Sequence, residues 1–337
     1  MERKSVLVTG GMGFVGANIA LKFIEEGYET ILYDITQHEI DFLEEKKGRW
    51  AFVKGDVDDW RKVLETVKQY EIEGMVHGAL PIPSGSMEMT KANFDACYNL
   101  LEVCRLAKLK FVFISSNAAY GYRPDSNPMV ETDYAPVLTG APLDEYGAMK
   151  QMCEALTAMY HAVHGVDSVS CRISWVYGPG TSRGWYPQWF LSNALAGIPA
   201  KLDKGGDHKA DYTYVKDAAR GVYLAFTVRP LKHRLYNITS GRKVSAREVV
   251  ATVKKIVPGA NIEIGPGQME KGLGDPRQHP LQVGTMLVTR AEEDLGYTTT
   301  PLEQGLRETA EWYRKQPKII TTPEPAQLRT RASGLGA

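Results

Sequence analysis

The chain has 337 residues, with 40 lysines and arginines balanced by 40 aspartates and glutamates, and 43% of its residues are hydrophobic. That balance leaves no basic excess for nucleic-acid phosphates and no polybasic patch for a membrane surface, and no apolar run is long enough to span a bilayer. The length fits two domains or one large α/β unit. Met1 to Ser5 lead straight into the first strand without a signal-peptide core. Cys97, Cys104, Cys153 and Cys171 lie in apolar segments without Cys-x-x-Cys spacing, so a cytoplasmic protein with reduced core thiols is expected.

Val6-Leu7-Val8 is a short apolar run of the kind buried in a parallel sheet, and Gly10, Gly13 and Gly16 follow it directly. Val15, Ile19 and Phe23 then recur at helical spacing until Gly27. Glycines between a strand and a helix allow a tight bend, a close backbone approach to a pyrophosphate, and contact between helix and sheet, with the helix N-terminus facing the phosphates. The second strand, Thr30 to Asp34, ends in a carboxylate eighteen residues after Gly16. Such an acid accepts hydrogen bonds from ribose hydroxyls and repels a 2′-phosphate, and no arginine follows it closely, so NAD is expected rather than NADP.

Trp50 to Lys54 reads as a third strand, and Asp58 and Asp59 offer an N-cap to a helix carrying Trp60, Val63, Leu64 and Val67. Met75-Val76-His77 is a fourth strand ending at Gly78-Ala79. Asn93, Cys97, Leu101 and Cys104 have helical spacing, and Phe111 to Ile114 is a fifth strand. It delivers Ser115 and Ser116 to the carboxyl edge of the sheet, where ligands of open α/β sheets collect. Strands alternating with helices predict a doubly wound parallel sheet. Tyr146 and Lys150 stand one helical turn apart, an acid/base pair in which the ammonium favours the phenolate.

Near residue 175 the composition changes. Tyr177-Gly178-Pro179-Gly180 breaks the pattern, and Trp185, Tyr186 and Trp189 cluster behind it, marking the start of a smaller substrate-covering domain. Asp211 to Val215 alternates like a strand, and Ala218 to Phe226 reads as a helix returning to the main sheet. Ser245 to Glu248 is a capping box, Asn261 to Ile264 a short strand among loops, and Leu306 and Trp312 belong to a last helix. The predicted division is 1–175 for cofactor binding, rejoined by about 211–240, then 176–316 mainly for substrate, and a tail at 317–337 without an apolar face. His77, His161, His164 and His208 form no metal-ligand spacing, and no metal is expected.

Taken in order over roughly residues 5 to 315, these motifs resemble the extended short-chain dehydrogenase/reductase family, its NAD-dependent epimerase/dehydratase group. The resemblance implies a Rossmann-type fold with a smaller C-terminal substrate-binding domain. It places Gly10, Gly13, Phe14, Val15 and Gly16 at the cofactor turn, Asp34 at the ribose, Asp56 and Val57 beside the adenine, and Gly78, Ala79 and Asn93 along the rest of the NAD site. Ser116, Tyr146 and Lys150 fall at its catalytic positions. Tyr146 would remove a hydroxyl proton as hydride leaves the same carbon, Ser116 would hold the oxygen, and Lys150 would hold Tyr146 and the cofactor ribose. Ser115 is the alternative to Ser116, since strand neighbours point to opposite faces. Tyr177-Gly178-Pro179-Gly180, Asp211 to Asp217 and Gly296-Tyr297 fall on further family landmarks.

Two departures bear on substrate. Dehydratases of the group carry Asp-Glu after the catalytic hydroxyl residue, where this chain has Asn117 and Ala118. Nucleotide-sugar enzymes carry an arginine at position 210 to grip a pyrophosphate. Here it is Ala210, with Lys209 expected to point away and His208 on the same face. Asn117, Arg123, Tyr177, Arg183, Trp185 and Arg277 are the expected substrate residues, and Arg123, Arg183 and Arg277 with Trp175, Trp185 and Tyr186 suit a small polar or carboxylated molecule with an apolar part. The readings are an NAD-dependent dehydrogenase, a sugar or nucleotide-sugar epimerase with tightly held NAD, and a non-catalytic NAD-binding protein. A homodimer packed through the helices around Asn93 and Tyr146 is implied by the same resemblance.

Overall fold

The computed structural model describes residues 4–79, 87–121, 128–132, 145–181, 186–268 and 284–316. The strands in chain order are β1 (Ser5–Thr9), β2 (Glu29–Asp34), β3 (Trp50–Lys54), β4 (Gly74–His77), β5 (Lys110–Ser116) and β6 (Ser168–Ile173), then β7 (Ala200–Leu202), β8 (Lys209–Ala210), β9 (Leu235–Ile238), β10 (Val244–Ser245) and β11 (Ile262–Ile264). The helices are α1 (Phe14–Glu25), α2 (Asp41–Glu44), α3 (Trp60–Gln69), α4 (Met87–Ala107), α5 (Glu145–His164), α6 (Tyr186–Leu195), α7 (Val215–Thr227), α8 (Ala246–Ile256), α9 (Thr289–Leu295) and α10 (Leu302–Lys315).

Seven strands form one parallel sheet in the order β3-β2-β1-β4-β5-β6-β9. This is the doubly wound arrangement, and strand order reverses between β1 and β4, so the crevice for a ligand opens at their carboxyl ends. Both faces are covered, which is why the strand interiors are apolar on both sides. Val6 and Val8 pack with Ile19 and Phe23 of α1 and Val222 and Phe226 of α7. Leu7, on the opposite face, packs with Val63 of α3, Leu100 and Leu101 of α4 and Tyr160 of α5. A second core joins Phe190 and Leu191 of α6, Val249 and Val253 of α8, Ile262 of β11 and Leu306 of α10. It forms the smaller C-terminal domain.

Local chemistry sets several boundaries. Asp59 caps α3 by accepting from Lys62 N–H at 3.2 Å. Ser245 and Glu248 form the reciprocal capping box of α8, at 3.2 and 2.7 Å. In place of the strand expected at Asp211 to Val215 there are the short β8 at Lys209–Ala210 and a single bridge of Tyr214 to Tyr177. Asp211 leaves the ladder because its carboxylate takes both the N–H and the hydroxyl of Ser240, at 3.0 and 2.6 Å, and Val215 already opens α7. Strands β6 and β9 escape a reading by apolar runs because buried polar residues interrupt them, Ser168, Ser170 and Arg172 in one and Asn237 in the other. No described helix is long and apolar enough to cross a membrane, and the four cysteine thiols are free and buried.

Candidate active site

The loop after β1 is pressed against the backbone after β4. Gly10 adopts φ +68°, and a Cβ on it would stand 2.8 Å from Ala79 N; a Cβ on Gly16 would stand 2.0 Å from Gly10 O. No side chain other than glycine's hydrogen fits at either position. α1 starts with Gly13 as an N-cap that has no side-chain acceptor, so its N-terminus is left open to an anion. At the end of β2 the Asp34 carboxylate accepts from Met12 N–H at 3.0 Å and Ile35 N–H at 2.8 Å, which ties the acid to the glycine loop. Tyr33, whose hydroxyl donates to Asp56 O at 3.0 Å, fixes the turn at Asp56 and Val57 against β2. This contour, a side-chain-free cradle at a helix N-terminus with an acid beside it, fits the pyrophosphate and ribose of NAD. Gly10, Gly13, Gly16 and Asp34 would hold it, with Gly78 and Ala79 at the adjoining strand end.

The next strand end carries the polar side chains. Lys150 Nζ donates to Ile114 O at 2.6 Å and lies 5.5 Å from the centroid of the Tyr146 ring and 4.8 Å from that of Phe113. The lysine thus ties the first turns of α5 to β5 just upstream of Ser116. Ser116 is 8% exposed at the edge of the sheet; its hydroxyl donates to Asn117 Oδ1 at 3.1 Å and accepts from Ala118 N–H. Ser115 points the other way, donating to buried Glu154 at 2.5 Å. Of the two serines, only Ser116 is left at the crevice. His77, at the end of β4, pairs with Thr9 Oγ1 at 2.8 Å. Burial, helped by the nearby Lys150 charge, pushes its imidazole down to about 3, so it stays neutral beneath the site.

Across the crevice a narrow cleft is bordered by Asn117, Trp175, Lys209, Ala210 and Asp211. Trp175 holds a left-handed backbone with φ +37°. Asp211 is 4% exposed with Oδ2 unbonded, and burial outweighs the Ser240 hydrogen bonds to push its carboxyl up to about 6. Lys209, expected to face away, borders this cleft beside Ala210, while His208 turns inward, its ring centroid 6.5 Å from that of Tyr186.

The NAD dependent epimerase/dehydratase family matches residues 6–239, more than half of the chain. The protein belongs to this family. Among its relatives, a UDP-N-acetyl-alpha-D-glucosaminuronate decarboxylase of Bacillus cytotoxicus is 26% identical, with 93% of this chain and 98% of the relative covered. The UDP-glucose 4-epimerase of Thermotoga maritima, solved with UDP-glucose, superposes with TM-score 0.74 at 25% identity, covering 92% of this chain and 99% of that one. The dTDP-glucose 4,6-dehydratase of Bacillus anthracis, solved in complex with NAD, superposes with TM-score 0.76 at 21% identity, covering 93% and 97%. As a member of the epimerase/dehydratase family, this protein is an enzyme whose cofactor is NAD.

Of the residues singled out in the sequence, the structure gathers Gly10, Gly13, Phe14, Val15, Gly16, Asp34, Gly78 and Ala79 around the β1–β4 crevice. It brings Tyr146 and Lys150 to the end of β5 with Ser116. Asn93 is buried within α4. Tyr177, expected as a substrate residue, is found packed inside the smaller domain. It is 1% exposed, its ring is tilted against that of Tyr214 with centroids 5.6 Å apart, and its hydroxyl fills the space that a Cβ on Gly305 would need. Arg123, Arg183, Trp185, Arg277 and the tail 317–337 lie outside the described residues. Sequence reading misses Thr9, Gln151, Glu154 and Arg172, which brace the site from behind. The available signal is Glu154 one turn after Lys150, a carboxylate among the buried Met149, Cys153 and Tyr160 of the same helix.

Proposed function

We propose that the enzyme is an NAD-dependent dehydrogenase acting on a secondary alcohol of a sugar, sugar acid or similar small metabolite. The observation that carries this reading is the meeting of Lys150, Tyr146 and the Ser116 strand end beside a loop that fits NAD. When bound, NAD supplies the acceptor for hydride. Tyr146 receives the proton of the substrate hydroxyl, Ser116 hydrogen-bonds the same oxygen, and Lys150, anchored on Ile114 O, holds its charge beside the phenol. Asn117 and Ala118 provide no carboxylate for water loss, and Ala210 provides no guanidinium for a diphosphate, which favours a free sugar or sugar acid over a nucleotide sugar. Tyr146→Phe is expected to lower turnover by about 100- to 10,000-fold while leaving NAD affinity unchanged. The assay follows NADH absorbance with a panel of free sugars, sugar acids, hydroxy acids and nucleotide sugars. A variant that keeps most of the activity removes the assignment.

The similarity to a UDP-glucose 4-epimerase supports a second reading, an epimerase that returns the hydride to the other face of the same carbon. Tightly retained NAD, no net NADH and a changed diastereomer ratio in that same panel would select it.

We further propose a homodimer through α4 and α5. Among the described residues, five of the eight exposed large apolar side chains, Tyr98, Leu106, Met152, Met159 and Val163, lie on these two helices. Light scattering should read twice the chain mass, and Val163→Glu should read the mass of one chain. A monomeric wild type would end this proposal.

A further inference from the structure

Three consecutive ties join one side of α5 to the segment that carries Ser116. Lys150 Nζ donates to Ile114 O at 2.6 Å, Gln151 Nε2 donates to Ala119 O at 2.7 Å, and Glu154 Oε1 accepts from Ser115 Oγ at 2.5 Å. Their anchors at 114, 115 and 119 bracket Ser116 on both sides, and the three side chains follow Tyr146 within about two turns of the helix. Glu154 is itself locked by the buried Arg172, whose Nε and Nη2 donate to its two oxygens at 2.8 and 2.6 Å. The Arg172 guanidinium lies 4.1 Å from the centroid of Tyr120, and the Tyr120 hydroxyl donates to Asn237 Oδ1 at 2.8 Å. Tyr120 ends the short 3-10 turn Asn117–Tyr120, whose first side chain accepts from Ser116.

Elsewhere α5 packs on the sheet layer chiefly through Met149, Cys153 and Tyr160, with one further hydrogen bond near its far end, from Ser168 Oγ of β6 to Thr157 O at 2.7 Å. Apolar contact is non-directional and sets the axial place of a helix less sharply than hydrogen bonds do, and two of the three ties end on backbone oxygens. A buried ion pair such as Glu154 and Arg172 is also weak evidence for stability as such, since packed apolar residues commonly serve as well. What these ties fix is the place of α5 along β5, and with it the separation of the two hydroxyls.

We propose that Ser115, Gln151 and Glu154 form a clamp, positioning residues that set the Tyr146 phenol against the Ser116 hydroxyl. This rests on the reading of Tyr146 and Ser116 as the acid/base and its hydrogen-bond partner. Glu154→Gln would leave Arg172 without its counter-charge and endanger folding, so the test uses Gln151→Met and Ser115→Ala, which leave the Glu154–Arg172 pair in place. NAD-bound crystal structures of wild type and variants measure the Tyr146 Oη to Ser116 Oγ separation directly. A change of about 1 Å is expected, with kcat about tenfold lower, KM and NAD affinity within about twofold, and Ser115→Thr restoring most of the loss seen in Ser115→Ala. A separation unchanged to within about 0.5 Å overturns the clamp whatever the activities are. Tyr146→Phe is run beside them: if it keeps turnover, the catalytic reading fails, while the measured separation still decides the clamp.

Discussion

At the ends of β1 and β4 the crevice is walled by backbone: Gly10 O lies where a Cβ on Gly16 would go, and Ala79 N where a Cβ on Gly10 would go. The opposite wall is made of side chains, with Asn117 after β5, Trp175 after β6 and Asp211 after β8 brought together from distant parts of the chain. A backbone wall recognises a group shared by many reactions, and its demands are local, written as glycine at short spacings. A side-chain wall recognises one substrate and depends on residues far apart in sequence.

The sharpest way to break this comparison is one methyl group on the backbone wall. Gly16→Ala places a carbon 2.0 Å from Gly10 O, a contact that only movement of α1 or of the loop relieves. The expected result is a loss of about 2–4 kcal/mol in stability together with NAD affinity, read by denaturant unfolding and by NAD titration. A Gly16→Ala variant that binds NAD as wild type does would mean that the loop tolerates a side chain and that its contour is not the recognition element.

Legibility in the sequence follows the same division. The first five strands are readable because Val6 to Val8 and Phe111 to Ile114 are continuous apolar runs, and the cofactor loop because its glycines are spaced within seven residues. β6 and β9 are not, because Arg172 and Asn237 are buried through partners, Glu154 and Tyr120, that only the folded chain brings near. For the same reason Tyr177 reads as a substrate residue. Nothing local announces that its hydroxyl fills a space kept by Gly305, more than a hundred residues away. The side-chain half of the site is therefore the half that sequence describes least.

A second test asks whether the side-chain wall is held against its own electrostatic preference. Asp211 is buried, and its carboxyl is pushed from 3.8 up to about 6. The folded protein therefore holds this proton more tightly than the unfolded chain does. The stabilisation from that proton is fully present below about pH 4 and is lost as pH rises through about 6. Above that window the buried charge costs up to about 3 kcal/mol. Asp211→Asn keeps an acceptor for Ser240 without the charge. It should be the more stable protein at pH 7.5, with the advantage shrinking to nothing near pH 4, as measured by denaturant unfolding of both proteins at three pH values. An advantage that is the same at every pH would show that burial of charge is not its source.

The smallest expected effect belongs to Asp34, a side chain that serves the backbone wall. The Asp34 carboxylate receives Met12 N–H, bracing the glycine loop, and we propose that its charge also disfavours a 2′-phosphate. Asp34→Asn tests them apart, because the amide oxygen can still accept from Met12 N–H, at the cost of the bond from Ile35 N–H, while the charge is gone. If recognition lies in the charge, NAD affinity falls by about tenfold and NADP loses less or gains, so the preference between the two narrows. If the bracing bond matters more, the variant binds NAD nearly as wild type does, and Asp34→Ala, which removes the acceptor as well, loses affinity for both cofactors alike. Isothermal titration with NAD and NADP on the two variants distinguishes these outcomes. A carboxylate that acts only as a brace would make recognition on this side a property of the backbone throughout, with the Asp34 side chain in the service of the loop.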